Sequence, residues 1–171
     1  MRKAGFLLFG LTGAFVLSQF PEFFQQYTQR LGGHLDEISA QVSSLEQRAN
    51  DAGKDVPGYL RGFLLNRDVD VRREGMHLRS IVDRQTELAT AYEALTGAGS
   101  VWRAQRFAKH VDWEIASSTF AVYRPAVPVT AESAIYTGAG FGAGAMIFLV
   151  ILGLWGPERR KPRQPKAERR R

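Results

Sequence analysis

The chain contains no cysteine, which excludes disulfides, thiolate metal sites, cysteine nucleophiles and lipid attachment to cysteine. It also lacks the signatures of a nucleophile elbow, a P-loop, a dinucleotide-binding glycine turn and an HExxH zinc site. A length of 171 residues excludes a large multidomain enzyme. Because 44% of the residues are apolar, the chain is not wholly disordered. These absences favour a protein without catalytic chemistry of its own.

Two long stretches of the chain carry no charge. They comprise 18 residues over 4–21 and 24 residues over 133–156. A bilayer core of about 30 Å requires about 20 helical residues. The second stretch meets this length, and the first meets it with Phe20, Phe23 and Phe24 as interfacial anchors. We therefore predict an N-terminal transmembrane anchor over residues 1–21 and a second transmembrane helix over residues 133–156.

The first stretch has an alternative interpretation as a cleaved signal peptide. Arg2 and Lys3 precede an apolar run of suitable length, as they would in such a peptide. Residues 16–21 lack a small-x-small cleavage site, so we favour a retained anchor. For the second stretch, a buried helix of a soluble protein is disfavoured, because a helix that is apolar on every face needs a larger protein around it.

The net charge of +6 lies in the flanks of the two apolar stretches. Arg2 and Lys3 precede the first stretch, and residues 157–171 hold 8 basic and 2 acidic residues. Residues 22–132 hold 13 basic and 15 acidic residues and are slightly acidic. The positive-inside rule therefore predicts that both termini are cytoplasmic and that residues 22–132 lie outside the cytoplasm.

Between the two stretches, apolar residues recur at alternating steps of three and four, which is typical of helices packed along a heptad seam. The first seam, interrupted by Gly32-Gly33, consists of Leu31, Leu35, Ile38, Val42, Leu45 and Ala49. A short helix after Asp55 is followed by a long one from about 69 to 95, with Leu78, Ile81, Gln85, Leu88, Tyr92 and Leu95 on its seam. A last helix is predicted from 101 to 122, capped by Ser100, with Ala104, Ala108, Val111, Ile115, Ser118 and Val122 on its seam.

The predicted fold class is all-α. Two transmembrane helices flank an extracytoplasmic helical domain over residues 22–132, built as a bundle or coiled-coil hairpin. Residues 157–171 form a basic, disordered cytoplasmic tail, because they contain no apolar anchor and are interrupted by Pro162 and Pro165.

Both predicted transmembrane helices contain small residues spaced four apart, which lie on one face of a helix. Such residues allow helix backbones to approach closely, so we expect the two helices to pack on each other or to self-associate. Glycine is also common in transmembrane helices generally, which is the alternative interpretation. The helix-packing residues are Gly10, Ala14, Ser18, Gly138, Gly140, Gly142 and Gly144.

The basic tail begins directly at the predicted membrane surface. Anionic lipid headgroups are therefore the expected partners of Arg159, Arg160, Lys161 and Arg163, and nucleic acid is disfavoured. A plain topology anchor remains the alternative role for this tail.

Two histidines lie at helical spacing from carboxylates, His34 with Glu37 and His110 with Glu114. A metal site needs three or four converging ligands. Since the three histidines fall on three predicted helices, we expect no metal, no cofactor and no catalytic residue. A metal-binding or enzymatic membrane protein that uses these pairs is the alternative function.

Two segments carry a family resemblance. Residues 19–23, Gln-Phe-Pro-Glu-Phe, and residues 26–37 resemble the opening of domain-of-unknown-function family 2937, which comprises small proteobacterial membrane proteins. Residues 124–132, Arg-Pro-Ala-Val-Pro-Val-Thr-Ala-Glu, resemble the second signature of that family. The resemblance covers all but the basic tail. It implies a bacterial inner-membrane protein with no assigned activity, and it supplies no catalytic residue. In such a protein the charge distribution places the middle domain in the periplasm. We expect a structural or accessory envelope component whose partners are the bilayer and another envelope protein or a second copy.

Overall fold

A computed structural model of the chain describes residues 2–97, 99, 102–125 and 131–155. Within these residues all regular secondary structure is helical. The predicted Ser100 cap, the prolines after Pro125 and the basic tail lie outside the described residues. The seven helices are α1 (Arg2–Ser18), α2 (Phe20–Asp51), α3 (Val56–Leu64), α4 (Val69–Thr96), α5 (Arg103–His110), α6 (Trp113–Val122) and α7 (Ala131–Trp155).

The chain divides into two compact units. The first comprises Met1–Ser18 and Ser133–Arg171, and the second comprises Gln19–Glu132. By length and composition, two helical stretches can cross a membrane, one within Arg2–Asp51 and the other over Ala131–Leu154. Only 17% of the apolar window of each stretch is buried, whereas the core helix of a soluble protein would be mostly buried.

In the first unit, α1 and α7 are antiparallel. Gly5 lies against the ring of Phe148, Gly10 lies against the ring of Phe141, and Gly13 lies against Gly140. Residue numbers therefore fall along α7 as they rise along α1. This places Arg2 and Lys3 at the same end of the pair as the last turn of α7.

In the second unit, α2 and α4 form a long antiparallel hairpin. Gly32 contacts the ring of Tyr92, and the Gln85 side-chain amide donates to the Ser39 hydroxyl at 3.3 Å. Seven buried residues form the core near the chain ends of this unit: Phe24, Tyr27, Leu31, Leu88, Leu95, Ile115 and Ala116. A second core of Leu45, Leu60 and Leu78 lies at the other end, where α3 covers the hairpin.

Aspartates begin three of the helices by accepting hydrogen bonds from free backbone amides. Asp55 caps α3 through Gly58, Asp68 caps α4 through Asp70, and Asp112 caps α6 through the amides of Glu114 and Ile115. At the end of α2, Gly53 adopts a φ of 67°, and the Lys54 amide donates to the Ala49 carbonyl at 2.9 Å. This left-handed residue ends the helix.

The prediction of one helix over 101–122 is wrong. The chain leaves helical geometry at Val111 and Asp112 and starts α6 at Trp113, because Asp112 satisfies two amides of a new first turn. Four residues of the predicted seam are exposed: Ala104, Ala108, Ser118 and Val122. For the two that follow the break, the reason is the shift in helical phase. The buried residues of α6 are Ile115, Ala116 and Thr119 instead.

The helix α2 continues through Gly32-Gly33 and is unbroken from Phe20 through Asp51. Gly32 is half-buried against Tyr92, and a Cβ atom at this position would lie 3.1 Å from the ring. Packing against α4 stabilises the helix here despite a propensity cost of about 1 kcal/mol per glycine.

Candidate functional site

The contact between α1 and α7 is made backbone to backbone. A Cβ atom added to Gly13 would overlap the Gly140 carbonyl oxygen, and one added to Gly140 would overlap the Gly13 carbonyl oxygen. A Cβ atom added to Gly144 would overlap the Phe9 carbonyl oxygen. Each overlap is far inside van der Waals contact, so only glycine permits this separation of the two helices.

Four of the predicted helix-packing residues meet at this contact: Gly10, Ala14, Gly140 and Gly144. Gly140 approaches the Cα atom of Ala14, and an added Cβ there would lie 3.0 Å from it. Ser18 is buried, and its hydroxyl donates to the Phe15 carbonyl at 2.7 Å.

Gly138 and Gly142 do not belong to the contact. A Cβ atom on either residue would meet no described atom within 4 Å, because both lie on the other side of α7 from Gly140 and Gly144. The sequence pattern does not predict Gly5 and Gly13 among the helix-packing residues. A spacing of four from Gly10 passes over both of them, whereas alternating steps of three and four would include Gly13.

The outward faces of α1 and α7 are apolar and exposed. The large exposed side chains are Leu7, Leu8, Phe9, Leu11, Phe15, Val16 and Leu17 on α1, and Ile135, Met146, Ile147, Leu149, Val150, Ile151 and Leu154 on α7. Isolated exposed apolar residues are ordinary, but a continuous apolar face on both helices suits contact with lipid.

In the second unit, aromatic rings gather near Gln19 and Glu132. The Phe107 ring packs edge-on against Phe23, Phe24 and Tyr27, with centroids 5.0–6.2 Å apart. The Arg103 guanidinium lies 5.5 Å from the centre of the Phe24 ring and donates to Glu132 Oε2 at 2.6 Å. These contacts fix α5 against the start of α2.

Tyr27, Asp112 and Arg84 form a polar connection through this core. The Asp112 backbone N–H donates to the hydroxyl of the fully buried Tyr27 at 2.9 Å, and the Asp112 carboxylate pairs with the Arg84 guanidinium at 2.5 Å. Burial opposes ionisation of Asp112, but hydrogen bonds from the Ile115 amide and Arg84 hold the pKa of Asp112 below its usual value. Burial raises the pKa of Tyr27, so its hydroxyl stays protonated at neutral pH. The connection ties α2, α4 and α6 together at the break between α5 and α6.

A polar cleft of about 380 Å³ lies beside this connection and includes His34, Glu37 and Glu114. His110 lies at another cleft together with Lys109 and Thr90. The expected common face of His110 and Glu114 is wrong, because His110 ends α5 and Glu114 belongs to the first turn of α6. Among the described residues, no three of His, Asp and Glu are placed to hold a metal ion.

The described part of the chain is an all-helical protein with two helices that are long and apolar enough to cross a membrane. Residues 3–161 match the family described as proteins of unknown function, DUF2937, and the chain belongs to this family. No curated protein and no solved structure matches the chain. The family resemblance noted in the sequence is thereby confirmed over nearly the whole chain.

Proposed function

We propose that the chain is a non-enzymatic protein of the bacterial cytoplasmic membrane that presents a helical bundle in the periplasm. In this role α1 and α7 are the transmembrane helices, and the unit Gln19–Glu132 is an envelope scaffold or an accessory subunit of a larger assembly. The supporting observation is the antiparallel α1–α7 pair, which packs through glycine and leaves an exposed apolar surface outward.

The distribution of charge supports the direction of insertion. Arg2 and Lys3 lie at the same end of the pair as the last turn of α7, after which 8 basic residues follow. Because basic residues remain on the cytoplasmic side, this end faces the cytoplasm and Gln19–Glu132 faces the periplasm. Anionic lipid headgroups are the proposed partners of the tail residues Arg159, Arg160, Lys161 and Arg163.

The interior of the bundle supports a scaffold role. The charged side chains of Arg84 and Asp112 form an ion pair, Asp112 also caps α6, and Tyr27 is fully buried. These groups are occupied in holding helices together, so they carry structure and are not free to act on a substrate.

Reporter fusions test the proposal. Alkaline phosphatase, which is active only in the periplasm, should be active when fused after Ser100 and inactive when fused after Arg171. Green fluorescent protein at the same two positions should give the opposite pattern. Phosphatase activity after Arg171, together with none after Ser100, would overturn the proposed topology. Release of the full chain from membranes by alkaline carbonate would overturn the membrane assignment itself.

A further inference from the structure

The second unit exposes large apolar side chains around its own chain ends. Trp102 is 60% exposed, Phe120 is 71% exposed and Val122 is 64% exposed. Tyr123 is half-buried beside them. We call Trp102, Phe120, Val122 and Tyr123 the aromatic edge.

Contacts within the unit place the aromatic edge next to both chain ends. The Tyr123 hydroxyl donates to the Gln19 carbonyl oxygen at 3.2 Å, and the Phe120 ring lies 6.4 Å from that of Phe23. At the other chain end, Arg103 pairs with Glu132 at 2.6 Å, and Trp102 precedes Arg103 directly. Tyr123 therefore lies at one chain end of this unit, Phe120 lies near it, and Trp102 adjoins the residue that is paired with the other chain end.

We propose that the aromatic edge binds the surface of the same bilayer that α1 and α7 cross, with its rings among the lipid headgroups. This inference rests on the proposed function, since it requires Gln19 and Glu132 to lie where the chain leaves the membrane. Tryptophan and tyrosine suit this depth because each has an apolar body and a polar tip. Arg124, exposed and next in the chain after the edge, supplies a charge that complements anionic lipid.

Trp113 provides a matched comparison inside the same molecule. It is 76% exposed, which makes it more accessible than Trp102, but it starts α6 at the end far from Gln19. Since α6 rises about 1.5 Å per residue, Trp113 lies roughly 14 Å along the helix from Val122. A bilayer at the aromatic edge reaches Trp102 and leaves Trp113 in water.

The test uses the tryptophans of the full-length protein, of which there are 3. Three variants each keep one of them, Trp102, Trp113 or Trp155, and carry phenylalanine at the other two positions. Each is reconstituted into vesicles of phosphatidylethanolamine and phosphatidylglycerol, with or without lipid brominated on its acyl chains close to the headgroup. Bromine quenches tryptophan fluorescence only on contact.

Trp102 should lose most of its emission in brominated vesicles, and Trp113 should keep nearly all of it. Equal quenching of Trp102 and Trp113 would overturn the inference. Trp155, which ends α7, reports on the proposed function separately. Quenching of Trp155 without quenching of Trp102 refutes the aromatic edge alone, whereas absence of quenching at both positions refutes the membrane assignment as well.

A tryptophan at a second position of the aromatic edge keeps the test valid if the Trp102 variant misfolds. Phe120→Trp in a chain whose native tryptophans are all phenylalanine should be quenched like Trp102, with helix content checked by circular dichroism. Accessibility of that position to aqueous acrylamide, without quenching by brominated lipid, would contradict binding of the edge to lipid.

Discussion

Gly140→Ala should separate α1 from α7, and Gly142→Ala should leave them unchanged. The two positions are two residues apart on one helix, and each substitution removes the same glycine propensity cost of about 1 kcal/mol. They differ in surroundings: a methyl group at 140 would overlap the Gly13 carbonyl oxygen, and one at 142 would meet no described atom within 4 Å. The difference between the two variants therefore measures the backbone contact alone.

The size of the effect follows from the required movement. To accept the methyl group at 140, the helices must separate by roughly 1 Å, which forfeits a quarter to a half of the dispersion energy of the contacts they lose. Overpacking of this kind costs about 1–3 kcal/mol. In the equilibrium between paired and separated helices this corresponds to a roughly 5- to 150-fold change.

Chemical cross-linking provides the assay, because the native chain has no cysteine to interfere. The rings of Phe9 and Phe148 lie 5.5 Å apart, so Phe9→Cys and Phe148→Cys are introduced together and joined with a short bismaleimide. Cross-linking within one chain is followed in mixed micelles of rising dodecyl sulfate content. The yield of this cross-link should fall at a lower dodecyl sulfate content for Gly140→Ala than for Gly142→Ala. Equal midpoints for the two variants would refute the backbone contact.

Three further predictions concern the bundle of the second unit, all measured by thermal denaturation of the full chain followed by circular dichroism. Because the pKa of Asp112 is lowered in the folded state, its carboxylate stabilises the fold above the unfolded pKa of about 3.9, and this contribution is lost as the pH falls through the folded pKa. Asp112→Asn keeps the helix cap and loses the ion pair with Arg84, so its melting temperature should fall less than that of the native chain as the pH is lowered. An equal fall in the two proteins would contradict the ion pair. Tyr27→Phe removes the acceptor for the Asp112 amide and should cost about 1–3 kcal/mol, and an unchanged melting temperature would contradict that hydrogen bond. Gly33→Ala should stabilise α2 by about 1 kcal/mol, since the added methyl group meets no described atom within 4 Å, and a destabilised variant would refute this.

The sequence predicts the long helices α2 and α4 well because apolar residues recur at steps of three and four along nearly their whole length. Leu31, Val42 and Leu45 are buried on α2, as are Leu78 and Leu88 on α4. The apolar stretches also predict α1 and α7 closely, since an uncharged apolar run of this length is typical of a single long helix.

Prediction fails where one side chain changes the helical phase. Asp112 can lie within a helix or cap one, and only its tertiary partners Tyr27 and Arg84 favour the cap. Once α6 starts afresh at Trp113, every residue after it points in a different direction from that of a continuous helix. Likewise, glycine spacing alone cannot decide which side of α7 faces α1. Glycines recur at every second position over residues 138–144, so both sides of the helix carry glycines spaced four apart.

Cysteine accessibility in living cells tests the central claim most directly. Ser80 is exposed on α4, and Gln164 lies in the basic tail, so Ser80→Cys and Gln164→Cys each introduce one cysteine into a chain that has none. A maleimide that passes the outer membrane but not the cytoplasmic membrane should label Ser80→Cys in intact cells and Gln164→Cys only after permeabilisation. Labelling of Gln164→Cys in intact cells, with Ser80→Cys protected until permeabilisation, would contradict a periplasmic bundle carried by two transmembrane helices.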